Sequence, residues 1–177
     1  MVAAKTTART LVSHLHSAAF DADIETVRRL LDAGVLPDQR DKKGYTPLLW
    51  ASFRAAVGDQ VPVIQALLAA GADPDAITSA GDSSCLILAA QSGCEEAVTA
   101  LVAGGANVNH SADGVTALMV AARKGDTEVV RLLLQLGANP AARAGRFAAA
   151  DYARPGGHDD LANLLDQSTT GPFSTSA

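Results

Sequence analysis

The stretch Leu67-Leu68-Ala69-Ala70-Gly71-Ala72-Asp73-Pro74-Asp75 decides how the chain is read, because it is one of four variations on a single pattern. Leu30-Leu31-Asp32-Ala33-Gly34, Leu101-Val102-Ala103-Gly104-Gly105 and Leu133-Leu134-Gln135-Leu136-Gly137 end in the same way, and the final glycines are 37, 34 and 32 residues apart. A related tail follows each: Val35-Leu36-Pro37-Asp38, Ala72-Asp73-Pro74-Asp75, Ala106-Asn107-Val108-Asn109 and Ala138-Asn139-Pro140-Ala141. Val27, Ile64, Val98 and Val130 lie three to four residues ahead of the leucines, which puts the apolar side chains on one stripe of a helix. Each glycine stands where that stripe ends and is free to take the left-handed conformation that closes a helix. The Pro or Val and the Asp or Asn beyond it send the chain out in an extended turn.

A second helix precedes each of these. Thr46-Pro47-Leu48-Leu49-Trp50-Ala51 gives the clearest start: the threonine hydroxyl caps the helix, and proline fits the first helical position, where its missing N–H has no partner. Thr116-Ala117-Leu118-Met119-Val120-Ala121-Ala122, Ser84-Cys85-Leu86-Ile87-Leu88-Ala89-Ala90 and Ser13-His14-Leu15-His16-Ser17-Ala18-Ala19 repeat the pattern. The paired alanines let helices approach closely. One unit alone leaves an apolar face bare, so stacking of units is obligatory.

In register, these pieces resemble the ankyrin repeat, most closely at Asp41-Lys42-Lys43-Gly44-Tyr45-Thr46-Pro47-Leu48 and from Asp113-Gly114-Val115-Thr116 through Gly137-Ala138-Asn139. The resemblance covers residues 11–168 and implies an all-α solenoid of helix–turn–helix units joined by short hairpin-like turns. The units are 11–40, 41–76, 77–109, 110–142 and a degenerate 143–168, in which Leu165 is followed by Asp166-Gln167-Ser168 instead of a glycine turn, as befits a cap with a polar outer side. Turns are expected near 41–45, 78–83, 111–115 and 143–147. Residues 1–10 and 169–177 read as tails. Unit two is four residues longer than its neighbours around Arg54 to Pro62, which either adds a turn to its first helix or widens the loop after it. The family's TPLH histidine, which buttresses the turn, is kept only as His16 and replaced by Leu49, Ile87 and Met119.

Composition narrows the function. The net charge is −5, which argues against a nucleic-acid partner, and aromatic residues make up only 4% of the chain. No apolar run is long enough to span a bilayer. Cys85 and Cys94 are too few for a disulfide framework and suit a reducing, cytoplasmic setting. The acid-free start with Lys5, Thr6, Thr7, Arg9 and Thr10 has the composition of an organellar transit peptide; the plainer reading is a short tail. His14 and His16 project in different directions on a helix, and no Cys-x-x-Cys, His-x-x-x-His, Gly-x-Ser-x-Gly or phosphate-loop pattern occurs. Asp159-Asp160 fits the first turn of a helix better than a paired-carboxylate site. No catalytic residues, metal, cofactor or small-molecule substrate are expected.

What remains is a binding surface. The resemblance implies that turn tips and exposed sides of the first helices form a concave face, carrying Phe20 and Asp21; Lys42, Lys43, Tyr45, Phe53 and Arg54; Asp82, Gln91 and Ser92; Val115, Arg123 and Lys124; and Arg143 and Arg146. These positions hold seven of the chain's 14 basic residues and only two acidic ones, a bias that fits an acidic protein partner. Trp50 is expected to point between helices into the core. A scaffold, adaptor or assembly subunit is the leading expectation. An inhibitor covering a partner enzyme is the alternative, and a nucleic-acid-associated protein using the basic face is a distant third.

Overall fold

The structure is a computed structural model that describes residues 2–170, with side chains described over 9–169. Helices alternate along the chain in pairs: α1 (Val2–Phe20) with α2 (Ile24–Asp32), α3 (Pro47–Phe53) with α4 (Val61–Ala69), α5 (Cys85–Ser92) with α6 (Glu95–Ala103), α7 (Ala117–Lys124) with α8 (Thr127–Gln135), and α9 (Ala149–Ala153) with α10 (Asp159–Thr170). The first helices pack in sequence, α1 on α3, α3 on α5, α5 on α7 and α7 on α9. The second helices α2, α4, α6 and α8 form a row behind them, and α10 packs on α9. The chain belongs to no sheet-centred class: its β structure among the described residues is a pair of two-residue strands, β1 (Ser111–Ala112) and β2 (Val115–Thr116), and two isolated bridges, Ile77 with Ser84 and Ala144 with Phe147.

The helix starts and stops obey the local chemistry. Thr46, Ser84 and Thr116 each accept a hydrogen bond from the N–H three residues on, at 3.2, 3.3 and 3.4 Å, and Pro47 opens its helix. Gly34, Gly71, Gly105 and Gly137 have φ between +81° and +101°, just beyond the helix ends. The residue after Gly71 donates back to Leu67 O at 3.0 Å, closing the helix, and the other three units repeat that bond. Between the helices of units three and four the chain passes through Gly93 and Gly125 at φ +84° and +75°; unit one makes the same turn through Ala22 at φ +59°, a conformation that Cβ disfavours.

The core is one continuous slab of Leu, Val, Ile and Ala, with Leu15, Leu48, Leu67, Leu86, Leu101, Leu118, Leu133 and Leu165 at its centre. Leu49, Ile87 and Met119, which replace the motif histidine, are buried in it. His16 keeps the polar role: its Nδ1 lies 2.7 Å from Val12 O and its Nε2 3.0 Å from Tyr45 O, tying α1 to the turn of unit two. A ladder of short side chains joins units one to four in succession. Asp38 Oδ1 accepts from Asp73 N, Asp75 Oδ1 from Asn107 N and Asn109 Oδ1 from Asn139 N, at 3.0, 2.9 and 2.7 Å.

Two boundaries differ from the sequence reading. Residues 2–10, expected as a tail, are the opening turns of α1, so Ser13 lies inside a helix and does not cap one. Ala3, Ala4, Lys5 and Arg9 favour helix, and neither Gly nor Pro interrupts the run. At the other end α10 runs on through Thr170, two residues past the expected end of the domain; the remainder of the expected tail lies outside the described residues.

Candidate binding groove

The site begins with Asp41. Its Oδ1 accepts from the N–H groups of Lys43 and Tyr45, both at 2.9 Å, which folds the 41–45 turn; Asp41 N in turn donates to Tyr45 O. Its Oδ2 accepts from the Trp50 indole at 2.9 Å, so the turn and α3 are held by one carboxylate. Partial burial by itself raises the Asp41 carboxyl; the hydrogen bonds from Tyr45, Trp50 and Lys43, with the nearby His16 ring, outweigh it and hold the group below its ordinary value.

Trp50 therefore does not point into the core as expected. It is half-buried on the face formed by the first helices and the turns, hereafter the inner face. Tyr45 stacks on it at 4.5 Å between ring centroids, Phe20 meets it edge-on at 5.3 Å and Phe53 at 6.0 Å, and Lys43 Nζ lies 5.2 Å from its ring centre. In the sequence Trp50 sits inside an apolar run that reads as core; its indole N–H, which needs a partner when buried, was the one signal for a site at the edge of the core.

The four extra residues of unit two fall in the loop between Phe53 and Val61, so the insertion widens the loop and leaves α3 short. That loop supports the aromatic cluster. Gln60, almost fully buried, donates through Nε2 to Phe20 O at 3.1 Å, and the Arg54 guanidinium lies 4.6 Å from the Phe20 ring centre. Phe53 remains 49% exposed and Val57, in the loop itself, 56%, so apolar surface continues from the cluster to water.

Beside the cluster an open groove of about 830 Å³ runs between α1 and the turn of unit two. Arg9, Ser13, Ser17, Phe20 and Asp21 line one side, Arg40, Lys42 and Lys43 the other, with Trp50 reaching both. Arg40 Nη1 is anchored on Gly44 O and Ile77 O at 2.6 and 2.7 Å.

The structure thus brings together Phe20, Asp21, Lys42, Lys43, Tyr45, Phe53 and Arg54, and adds Arg9, Arg40 and Trp50. The remaining sequence candidates are separate from this cluster. Gln91 is exposed on α5, and the Ser92 hydroxyl is turned back onto Ala89 O. Asp82 accepts from the Thr78 hydroxyl within its own turn. Val115 is half-buried in β2 and Arg123 is exposed on α7. Lys124 faces Asp126 at 3.7 Å. Arg143 donates to Arg146 O and Arg146 lies over Phe147. Among the described residues no group of three or more His, Cys, Asp or Glu is placed to hold a metal ion. Cys85 is buried, and burial pushes its thiol up to about 12; half-buried Cys94 is raised for the same reason. No helix among the described residues is long and apolar enough to cross a membrane.

A repeat of paired helices, an inner face of turns and first helices, and a groove between α1 and the turn of unit two define a solenoid interaction module. Two family models match: ankyrin repeats (3 copies) over residues 52–144 and ankyrin repeats (many copies) over 15–57. The chain belongs to the ankyrin-repeat family, whose repeats are in general protein–protein interaction modules. No curated protein matches it.

Proposed function

We propose that this chain is a protein-binding module, acting as a scaffold, adaptor or assembly subunit, and that units one and two of its inner face carry the anchor. The supporting observation is the cluster of Phe20, Tyr45, Trp50 and Phe53 at the surface of a chain that is only 4% aromatic. Aromatic and Arg side chains are the usual energetic centre of an interface, while other contacts mainly exclude water. Basic residues beside the rings favour a partner with an acidic surface, drawn in by charge and held by the rings. Two unpaired cysteines fit a reducing, cytoplasmic setting for that encounter.

The test is capture of partners on the tagged chain from its native source, followed by binding kinetics of each. Phe53→Ala removes an exposed ring without touching the core, and is expected to speed dissociation about tenfold or more, as hot-spot truncations do. A partner that dissociates from Phe53→Ala and Trp50→Ala at the parental rate does not use this face, and the reading falls.

A further inference from the structure

The groove between α1 and the turn of unit two says more about its occupant than that it is a protein. Arg9 and Phe20 lie eleven residues apart on α1, about 16 Å of helix. That is the length of about five residues of extended chain. A groove of this length and volume fits a peptide segment laid along a helix.

The charges on its two sides do not balance. Arg9, Arg40, Lys42 and Lys43 all line it, and none of the four is in an ion pair among the described residues. Of the two carboxylates present, that of Asp41 is committed to three N–H groups of the protein itself. Asp21 is left as the single opposing charge. In a chain with net charge −5, this is a local cationic trough, and an acidic segment would be repelled by much of the remaining surface and drawn here.

The groove also has a direction. At the Phe20 end, Trp50 spans both sides, edge-on to Phe20 and bonded to Asp41, so that end has an aromatic floor. At the Arg9 end the α1 side is polar, lined by Arg9, Thr10 and Ser13.

We propose that this groove takes a short acidic linear segment of the partner, about five extended residues, with one apolar or aromatic side chain seated against Phe20 and Trp50 and carboxylates reaching Arg9, Lys42 and Lys43. The assignment rests on the inner face being the interface and narrows it to one groove and one class of ligand.

Random heptapeptides displayed on phage and selected against the full chain provide the probe. The expected winners are rich in Asp and Glu and carry a single Phe, Tyr, Trp or Leu. As synthetic peptides they should shift the emission of Trp50, the only tryptophan of the chain. Lys42→Glu with Lys43→Glu should weaken them about tenfold or more, and Arg9→Glu should do so independently, because each reversal sets like charge against an acidic ligand. Arg123→Glu with Lys124→Glu should leave them within about twofold. No enrichment of acidic residues, no selected peptide at all, or peptides insensitive to the groove variants would each overturn the assignment. A fifteen-residue oligothymidylate that shifts Trp50 more tightly than any acidic peptide would reassign the groove to single-stranded nucleic acid. If captured partners respond to Phe53→Ala and not to the groove charge variants, the proposed anchor stands and this inference falls. If they respond to neither, both fall.

Discussion

Replacing Asp41 by Asn isolates a single bond at the centre of the groove. The parent carboxylate accepts two turn N–H groups through Oδ1 and the Trp50 indole through Oδ2, each at 2.9 Å. Asparagine keeps one acceptor for the turn but presents an amide donor where Oδ2 stood, so the indole N–H faces another donor. A hydrogen bond to a charged group is worth about 1.5–3 kcal/mol, and a donor left without a partner costs about 1–3 kcal/mol. Asp41 and Trp50 are both half-buried, so water recovers part of this, and the expected loss for Asp41→Asn is about 1–1.5 kcal/mol. Asp41→Ala, which removes all three acceptor contacts, is expected to lose about 2–3 kcal/mol. Urea unfolding followed in parallel by far-ultraviolet circular dichroism and by Trp50 emission reads both the array and the site. The gap between parent and Asp41→Asn also carries a pH signature. The parent carboxyl is held below its ordinary value of 3.8, so its stabilisation is complete above that value and fades as pH falls through the lowered one. The gap should be constant from neutral pH down to the ordinary carboxylate range and close below it. Both variants unfolding within about 0.5 kcal/mol of the parent at neutral pH, with native Trp50 emission unchanged, would refute the claim that Asp41 holds turn and indole together.

Leu67→Ala and Leu101→Ala, both at fully buried sites, should each cost about 2–5 kcal/mol in chemical denaturation; near-zero shifts at both would mean that the repeat register is misread. Ala22→Gly relieves a left-handed alanine at φ +59° where units three and four use glycine, and should raise stability by about 0.5–1 kcal/mol on the same assay; a loss would show that the Ala22 methyl packs more than the backbone strains. In thiol titration with an aromatic disulfide at mildly alkaline pH, Cys94 should react slowly in the native protein and Cys85 only on unfolding, because burial raises both thiols and seals the latter; two fast thiols in the folded state would contradict the packing around α5.

Much of the architecture was open to a reader of the sequence alone. The glycines at 34, 71, 105 and 137, the caps at Thr46, Ser84 and Thr116 and the leucine stripes act within one helical turn of themselves, so their spacing states their structure. The same holds for the exposed cations of the 41–45 turn. Short-range chemistry failed only where helix simply continued, as in residues 2–10, which a repeat boundary made look like a tail.

The groove itself was decided by contacts between residues far apart in the chain. Gln60 reaches Phe20 O across 40 residues and His16 reaches Tyr45 O across 29, and neither pairing leaves a local trace. Trp50 was misread for the same reason. On its helix it lies among apolar neighbours, and helical periodicity reports only which side chains share a stripe. Whether that stripe faces a neighbouring helix or open solvent depends on how α1 and the turn of unit two stack beside α3, and on an aspartate nine residues away that draws the indole outward.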